Sequence, residues 1–206
     1  MMTLTFTPAE YAQLKKCDKR MARIMEELGE VSLAVNPRIF ESLVNNIVGQ
    51  QISMKAQETV WNRFLDRFGE ITPEKIAEAS LEDIQKLGIS MRKATYIQRA
   101  ALKVTQGHLD LDALAQASDD EVKLTLVSLD GIGEWTAEML MIFTFGRKDI
   151  LSYGDLAIRR GVMTLYGHKE ITKERFARYK KRYSPCGTLA SLYLWELSGE
   201  RYQIKK

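Results

Sequence analysis

Seven times along this 206-residue chain a residue able to cap a helix stands just ahead of a proline, an acidic residue or both. These are Thr7-Pro8-Ala9-Glu10, Asn36-Pro37, Thr72-Pro73-Glu74, Ser80-Leu81-Glu82-Asp83, Ser118-Asp119-Asp120-Glu121, Thr172-Lys173-Glu174 and Ser184-Pro185. A short polar side chain can accept from the free amides of a first helical turn, and Pro or an acid there suits its geometry and dipole. Between these starts apolar residues fall at helical spacing, as in Phe40, Leu43, Val44, Ile47 and Val48, whereas period-two alternation with hairpin turns is hard to find. The expected fold class is therefore all-α, built of many short helices, with one short strand near Leu4–Phe6. No Gly/Ser linker divides the chain, so residues 1–206 are expected to form a single compact domain of two interleaved helical lobes around a cleft. A chain of this length can bury a core without metal or disulfide staples.

The longest apolar runs, such as Met139–Phe145, fall far short of the roughly 18 residues a membrane span needs. The N-terminus lacks the basic-then-apolar layout of a secretory signal, and Cys17 and Cys186 are the two cysteines, so a reduced, cytoplasmic location without a membrane partner is expected. In a nucleated cell the same features are compatible with the nucleus. The net charge of +3 is unevenly spread. From Gly146 to Lys206 there are 14 Lys and Arg against 6 Asp and Glu, a net +8, while the remainder has 16 against 21, a net −5. A basic final third carrying Arg159, Arg160, Lys169, Lys173, Arg175, Arg178, Lys180, Lys181 and Arg182 suits either a solvated helix face or a polyanion partner.

The most informative stretch is Ser118-DDEVKLTLVSLDGIGEWTAEMLMIFTF, about residues 119–145. A capped helix runs to about Ser128, Leu129-Asp130-Gly131-Ile132-Gly133 interrupts it, and a second helix starts near Glu134. Two glycines permit positive φ and a close approach of another backbone, and the hairpin ends at a helix N-terminus, where unpaired amides favour a phosphate. Ile132 between the glycines would be the buried peg joining the helices. An ordinary tight αα-hairpin has the same spacing.

LDGIGEWTAEML resembles the helix-hairpin-helix motif of the DNA glycosylase superfamily. Three further segments carry the resemblance in order: Phe40-ESLVNNIVGQQIS before the hairpin, then Leu151-Ser152-Tyr153-Gly154-Asp155, whose Asp lies 22 residues after Gly133, then Ser184-Pro185-CGTLASLYLW. Together they span roughly Val35 to Trp195 and are similar to the DNA-3-methyladenine glycosylase II group. The resemblance implies a compact version, since about 35 residues precede the first motif and many relatives carry an extra N-terminal mixed α/β domain.

What the resemblance implies is an enzyme of base excision repair that acts on damaged double-stranded DNA by extruding a nucleotide, and nothing in the sequence requires more than a monomer. It implies that Asp155 is the carboxylate beside the sugar and that Trp135 and Trp195 line the base pocket. Met139 occupies a pocket position where some relatives carry an aromatic ring. Gln51 stands where relatives insert a wedge into the base stack, with Gln50 assisting. The hairpin, through Gly131, Ile132, Gly133 and neighbouring Thr136, implies a phosphate clamp. The carbonyls of Leu129 and Gly131 imply a monovalent cation, Na⁺ or K⁺. Bifunctional members carry a lysine just after the hairpin, where this chain has Trp135, so base release by water without strand cleavage follows. Two cysteines cannot supply the four thiolates of an iron-sulfur cluster, and His108 and His168 sit in no Cys/His grouping at zinc-ligand spacing. An aromatic cleft suits cationic alkylated purines of the 3-methyladenine and 7-methylguanine type. Two alternatives stay open: a non-catalytic damage-binding protein, or a monofunctional glycosylase for another lesion such as hypoxanthine or uracil. Both Trp residues are also compatible with core packing, Asp155 with a plain helix cap before Leu156-Ala157-Ile158-Arg159, and the glutamines with caps of adjoining helices.

Overall fold

The computed structural model describes residues 2–199. In chain order its elements are strand β1 (Met2–Leu4), helices α1 (Pro8–Cys17) and α2 (Lys19–Leu28), strand β2 (Leu33–Val35), and helices α3 (Ile39–Gly49), α4 (Met54–Phe68), α5 (Pro73–Glu78), α6 (Leu81–Gln85), α7 (Met91–Thr105), α8 (Leu111–Gln116), α9 (Asp119–Val127), α10 (Glu134–Phe143), α11 (Leu156–Tyr166), α12 (Lys173–Tyr183) and α13 (Gly187–Ser198). The fold is all-α apart from a two-stranded antiparallel ribbon, in which Met2 pairs with Val35 and Leu4 with Leu33. That register ends β1 at Leu4, so the strand lies two residues ahead of its expected place, and Phe6 is buried beyond it against the edge of Tyr11.

Thr7, Thr72, Ser80, Ser118 and Thr172 all cap helices through their hydroxyls, and Thr7 and Ser118 form full capping boxes with Glu10 and Glu121. Two expected caps fail. Asn36 turns its side-chain oxygen to the amide of Arg38, and α3 starts after Arg38 with no side-chain cap. Ser184 ends α12 and donates to Asp149 Oδ2 at 2.5 Å, while α13 starts after Cys186. Conversely Asp18, Ser53 and Ser90 cap α2, α4 and α7 although basic residues follow each of them. A side-chain acceptor for otherwise orphaned amides outweighs an unfavourable charge near the helix dipole.

The chain divides into two compact units, a terminal one made of the residues through Val35 and from Met141 onward, and an internal one spanning Asn36–Leu140. In the terminal unit α11 packs closely on α13 because Gly161 has no side chain: a Cβ there would lie 2.1 Å from the carbonyl oxygen of Leu194. The far end of α11 is fastened through Asp18. Its Oδ1 caps α2, and its Oδ2 accepts from Tyr166 Oη at 2.6 Å and Arg182 Nη1 at 2.7 Å. Tyr166 in turn stacks on Tyr179 with centroids 4.3 Å apart. Burial alone would raise the Asp18 pKa, but the hydrogen bonds from Tyr166, Arg182 and the α2 amides outweigh it and hold the carboxyl below its ordinary range.

In the internal unit the apolar face read from the sequence is buried as a block: Phe40, Leu43, Val44, Ile47 and Val48 are each at most 5% exposed. Helix α7 lies against α3, α5 and α6, burying Ala94, Ile97, Ala100 and Ala101. Cys17 is exposed and Cys186 buried, and both are free thiols. Among the described residues no helix is long and apolar enough to cross a membrane.

Candidate active site

The hairpin forms as its spacing predicts, within the internal unit. Ser128 closes α9 by donating its amide to the Leu124 carbonyl, and the N–H of Ile132 donates to the Leu129 carbonyl at 3.1 Å before α10 starts at Glu134. Ile132 is 4% exposed, the peg expected of it. Its side chain is buried and its amide is committed to the Leu129 carbonyl within the hairpin. The glycines differ. Gly131 has φ +80°, and a Cβ there would lie 2.4 Å from the Tyr96 ring. Gly133 is not left-handed, and its Cβ would meet nothing within 4 Å. Of the two glycines, both of which permit positive φ, Gly131 alone uses it. At Gly133 the missing side chain leaves open space at the helix N-terminus. Thr136 is buried in the first turn of α10, and the Ala137 amide donates to the Gly133 carbonyl at 2.9 Å.

The turn after α3 lies in the same unit. Gln51 is exposed and sits at φ +59°, the left-handed region that costs a non-glycine residue about 1 kcal/mol. Gln50 caps neither neighbouring helix with its side chain. Its Nε2 donates to the carbonyl of Gly131 at 2.8 Å and so joins this turn to the hairpin. The Lys93 ammonium donates to the carbonyls of Val48 at 2.9 Å and Gln50 at 2.6 Å. Burial of that amine, reinforced by the neighbouring Arg92 charge, lowers its pKa.

Asp155 lies in the terminal unit and is 8% exposed. As the N-cap of α11 it accepts the Ile158 amide on Oδ1 at 2.9 Å, and the same oxygen accepts the indole Nε1–H of Trp195 at 3.2 Å. Two donors from two helices fix the carboxylate rotamer. The cap role and a chemical role are compatible, because the cap orients the group. Trp195 is half-buried and stacks on Phe143 with centroids 5.5 Å apart and planes inclined by 24°. Phe143 is 38% exposed and was not singled out by motif, although it continues the stripe of Trp135 and Met139 at four-residue steps along α10. Trp135 is 48% exposed at the start of that helix and Met139 is buried one turn on, both in the internal unit. Arg159, read from the sequence as part of the basic final third, has its guanidinium 5.1 Å from the centroid of the Tyr153 ring, one turn beyond Asp155.

The basic residues of α12 separate into two kinds. Lys173, Arg175, Arg178, Lys180, Lys181 and Arg182 are all exposed, but Arg182 is in addition held by Asp18 at 2.7 Å. Arg201, Lys205 and Lys206 lie outside the described residues. Among the described residues no group of three or more His, Cys, Asp or Glu is placed to hold a metal ion.

The model of the HhH-GPD superfamily of base excision DNA repair proteins matches residues 44–185. DNA-3-methyladenine glycosylase 1 of Schizosaccharomyces pombe is 32% identical over 77% of this chain and 72% of its own length. The crystal structure of a DNA-3-methyladenine glycosidase from Bacillus halodurans superposes with a TM-score of 0.88 at 36% identity, covering 97% of this chain and 94% of that one. The S. pombe 3-methyladenine DNA glycosylase solved with abasic DNA superposes with a TM-score of 0.77 at 28% identity, covering 91% of this chain and 95% of that one. A curated Bacillus subtilis relative is 27% identical over 85% of this chain, and the chain spans 64% of that protein's length.

Proposed function

The chain belongs to the HhH-GPD superfamily of base excision DNA repair proteins, and from that premise we propose that it is a monofunctional DNA glycosylase releasing alkylated purines, of the 3-methyladenine and 7-methylguanine type, from duplex DNA as a monomer. The observation that carries this reading is the carboxylate of Asp155, buried and oriented by Ile158 and Trp195. The names of the similar proteins support the substrate class.

An alkylated purine carries positive charge and leaves readily, so the difficulty lies at the sugar. As the C1′–N bond breaks, its electron pair departs with the base and C1′ gains oxocarbenium character. A fixed carboxylate beside C1′ favours that transition state over the ground state, because its rotamer needs no reorganisation as charge develops. Water then forms the new bond at C1′, loses a proton and leaves an abasic site. With Trp135 where bifunctional members have lysine, no amine adds to the sugar and the backbone stays intact. The Phe143–Trp195 stack supplies a ring face for an electron-poor base, at about 0.5–2 kcal/mol per contact.

Before the chemistry the nucleotide must leave the stack, at a cost of a few kcal/mol that is smaller for a damaged pair. Gln51 fills the gap, and the open position at Gly133 leaves room for a phosphate at the N-terminal end of α10. The exposed bases of α12 add salt-sensitive attraction. The carbonyls of Leu129 and Gly131 each accept one hydrogen bond, from Ile132 and Gln50, and each keeps a second lone pair. They therefore fit a monovalent cation, which would add positive charge at the phosphate.

The test is chromatography of bases released from methylated duplex DNA by the wild type and by Asp155→Asn under one salt condition. Release of 3-methyladenine or 7-methylguanine by the wild type, and its loss in the folded variant, is the expected result. Tight duplex binding with no base released would favour the damage-binding alternative.

A further inference from the structure

Helix α7 carries three side chains along one stripe, Lys93, Tyr96 and Arg99, each in contact with one of two loops in the internal unit. Lys93 holds the carbonyls of Val48 and Gln50 at the end of α3. Tyr96 packs against Gly131, leaving no room for a Cβ, and Arg99 Nη1 meets Asp130 Oδ2 at 3.0 Å. The two loops are also joined directly by Gln50 Nε2 on the Gly131 carbonyl. The amine of Lys93 is thus inside a closed loop of contacts running from the turn, through Gln50, to the hairpin, and back along α7.

The turn needs such support. The left-handed conformation of Gln51 opposes the preference of a residue with a Cβ, and the last carbonyls of α3 have no partners within the helix. A cation there satisfies two carbonyls at once and suits the negative end of the helix dipole.

We propose that Lys93 is a positioning residue for DNA damage recognition: it holds Gln51 in the left-handed conformation that projects it as a wedge and, through Gln50, ties the wedge to the phosphate-binding hairpin. Wedge insertion and phosphate capture are then one rigid-body event rather than two. This rests on the reading of Gln51 as the wedge.

The experiment is a double-mutant cycle on binding to a duplex carrying an abasic-site analogue, with the undamaged duplex as reference. Lys93→Met keeps the aliphatic stem and removes the donors, Gln51→Ala removes the wedge, and the double variant carries both changes. If Lys93 acts through Gln51, each single variant lowers the preference for the abasic duplex about tenfold and the double variant is no worse than Gln51→Ala alone. Lys93→Arg, which restores donors to both carbonyls, recovers most of the preference. Losses that add in the double variant would overturn the proposal, because Lys93 would then act independently of the wedge. A wild type that binds both duplexes equally, or a Gln51→Ala variant that keeps the full preference, would instead remove the wedge reading and the proposal with it. Should Lys93→Met fail to fold, Lys93→Ala, which likewise removes the donors, enters the same cycle and is read the same way.

Discussion

The indole Nε1–H of Trp195 donates to Oδ1 of Asp155 at 3.2 Å, the same oxygen that caps α11. A tryptophan expected as a wall of the base pocket therefore also aims the carboxylate. Trp195→Phe keeps a ring stacked on Phe143 but loses the donor. A hydrogen bond to a charged group contributes about 1.5–3 kcal/mol, so single-turnover base release should fall at least about tenfold with little change in KM. An unchanged rate would show that the helix cap alone orients Asp155.

Gly131 and Gly133 should respond differently to alanine. Gly131→Ala meets both a left-handed φ and the Tyr96 ring, and should destabilise the protein by about 2 kcal/mol, seen as a lower melting temperature. Gly133→Ala meets no protein atom and should melt like the wild type while binding duplex DNA more weakly. Equal loss of stability in both, with no binding defect in Gly133→Ala, would remove the phosphate clamp from this position.

Gly161→Ala tests the approach of α11 to α13. The added Cβ would lie 2.1 Å from a main-chain oxygen that cannot swing aside, so a helix must shift, at a cost of about 3 kcal/mol or more. Denaturant unfolding should report it, and a loss under 1 kcal/mol would mean that the two helices are less tightly seated than described here.

Asp18 has a folded-state pKa held below its unfolded value, so its contribution to stability is fully present above the unfolded pKa and is lost as pH falls through the folded one. Stability curves of wild type and Asp18→Asn should lie apart at neutral pH and converge as the solution is acidified below the ordinary carboxylate range. Curves that stay parallel down to acid would show that the carboxylate charge contributes nothing.

The exposed bases of α12 should appear in the salt dependence of DNA binding. If Arg178 or Lys181 contacts a phosphate, its replacement by alanine reduces the slope of log K against log salt by about 1 and leaves sequence preference unaltered. Arg182→Ala should instead lower stability, because it leaves Asp18 without its cationic partner.

Helices announced themselves locally wherever a cap, a proline or an acidic first turn stood ahead of a periodic apolar face, since each of those interactions closes within a few residues. The same locality made the hairpin legible down to the Ile132 peg. It misled at Asn36 and Ser184, whose side chains found partners other than the next helix, and it overlooked Asp18, Ser53 and Ser90 behind basic first turns. The chain by itself thus determined the all-α class, the order of the four motifs, the absence of a lysine after the hairpin, and Asp155 as a carboxylate leading a helix. Tertiary structure alone decided the rest: Trp195 on Asp155 from 40 residues away, Lys93 on Gln50 from 43, and Gln50 on Gly131 from 81. These contacts join separate elements, so no local periodicity encodes them, and they exist only because packed helices such as α7 and α13 bring distant backbone and side-chain groups within hydrogen-bond reach.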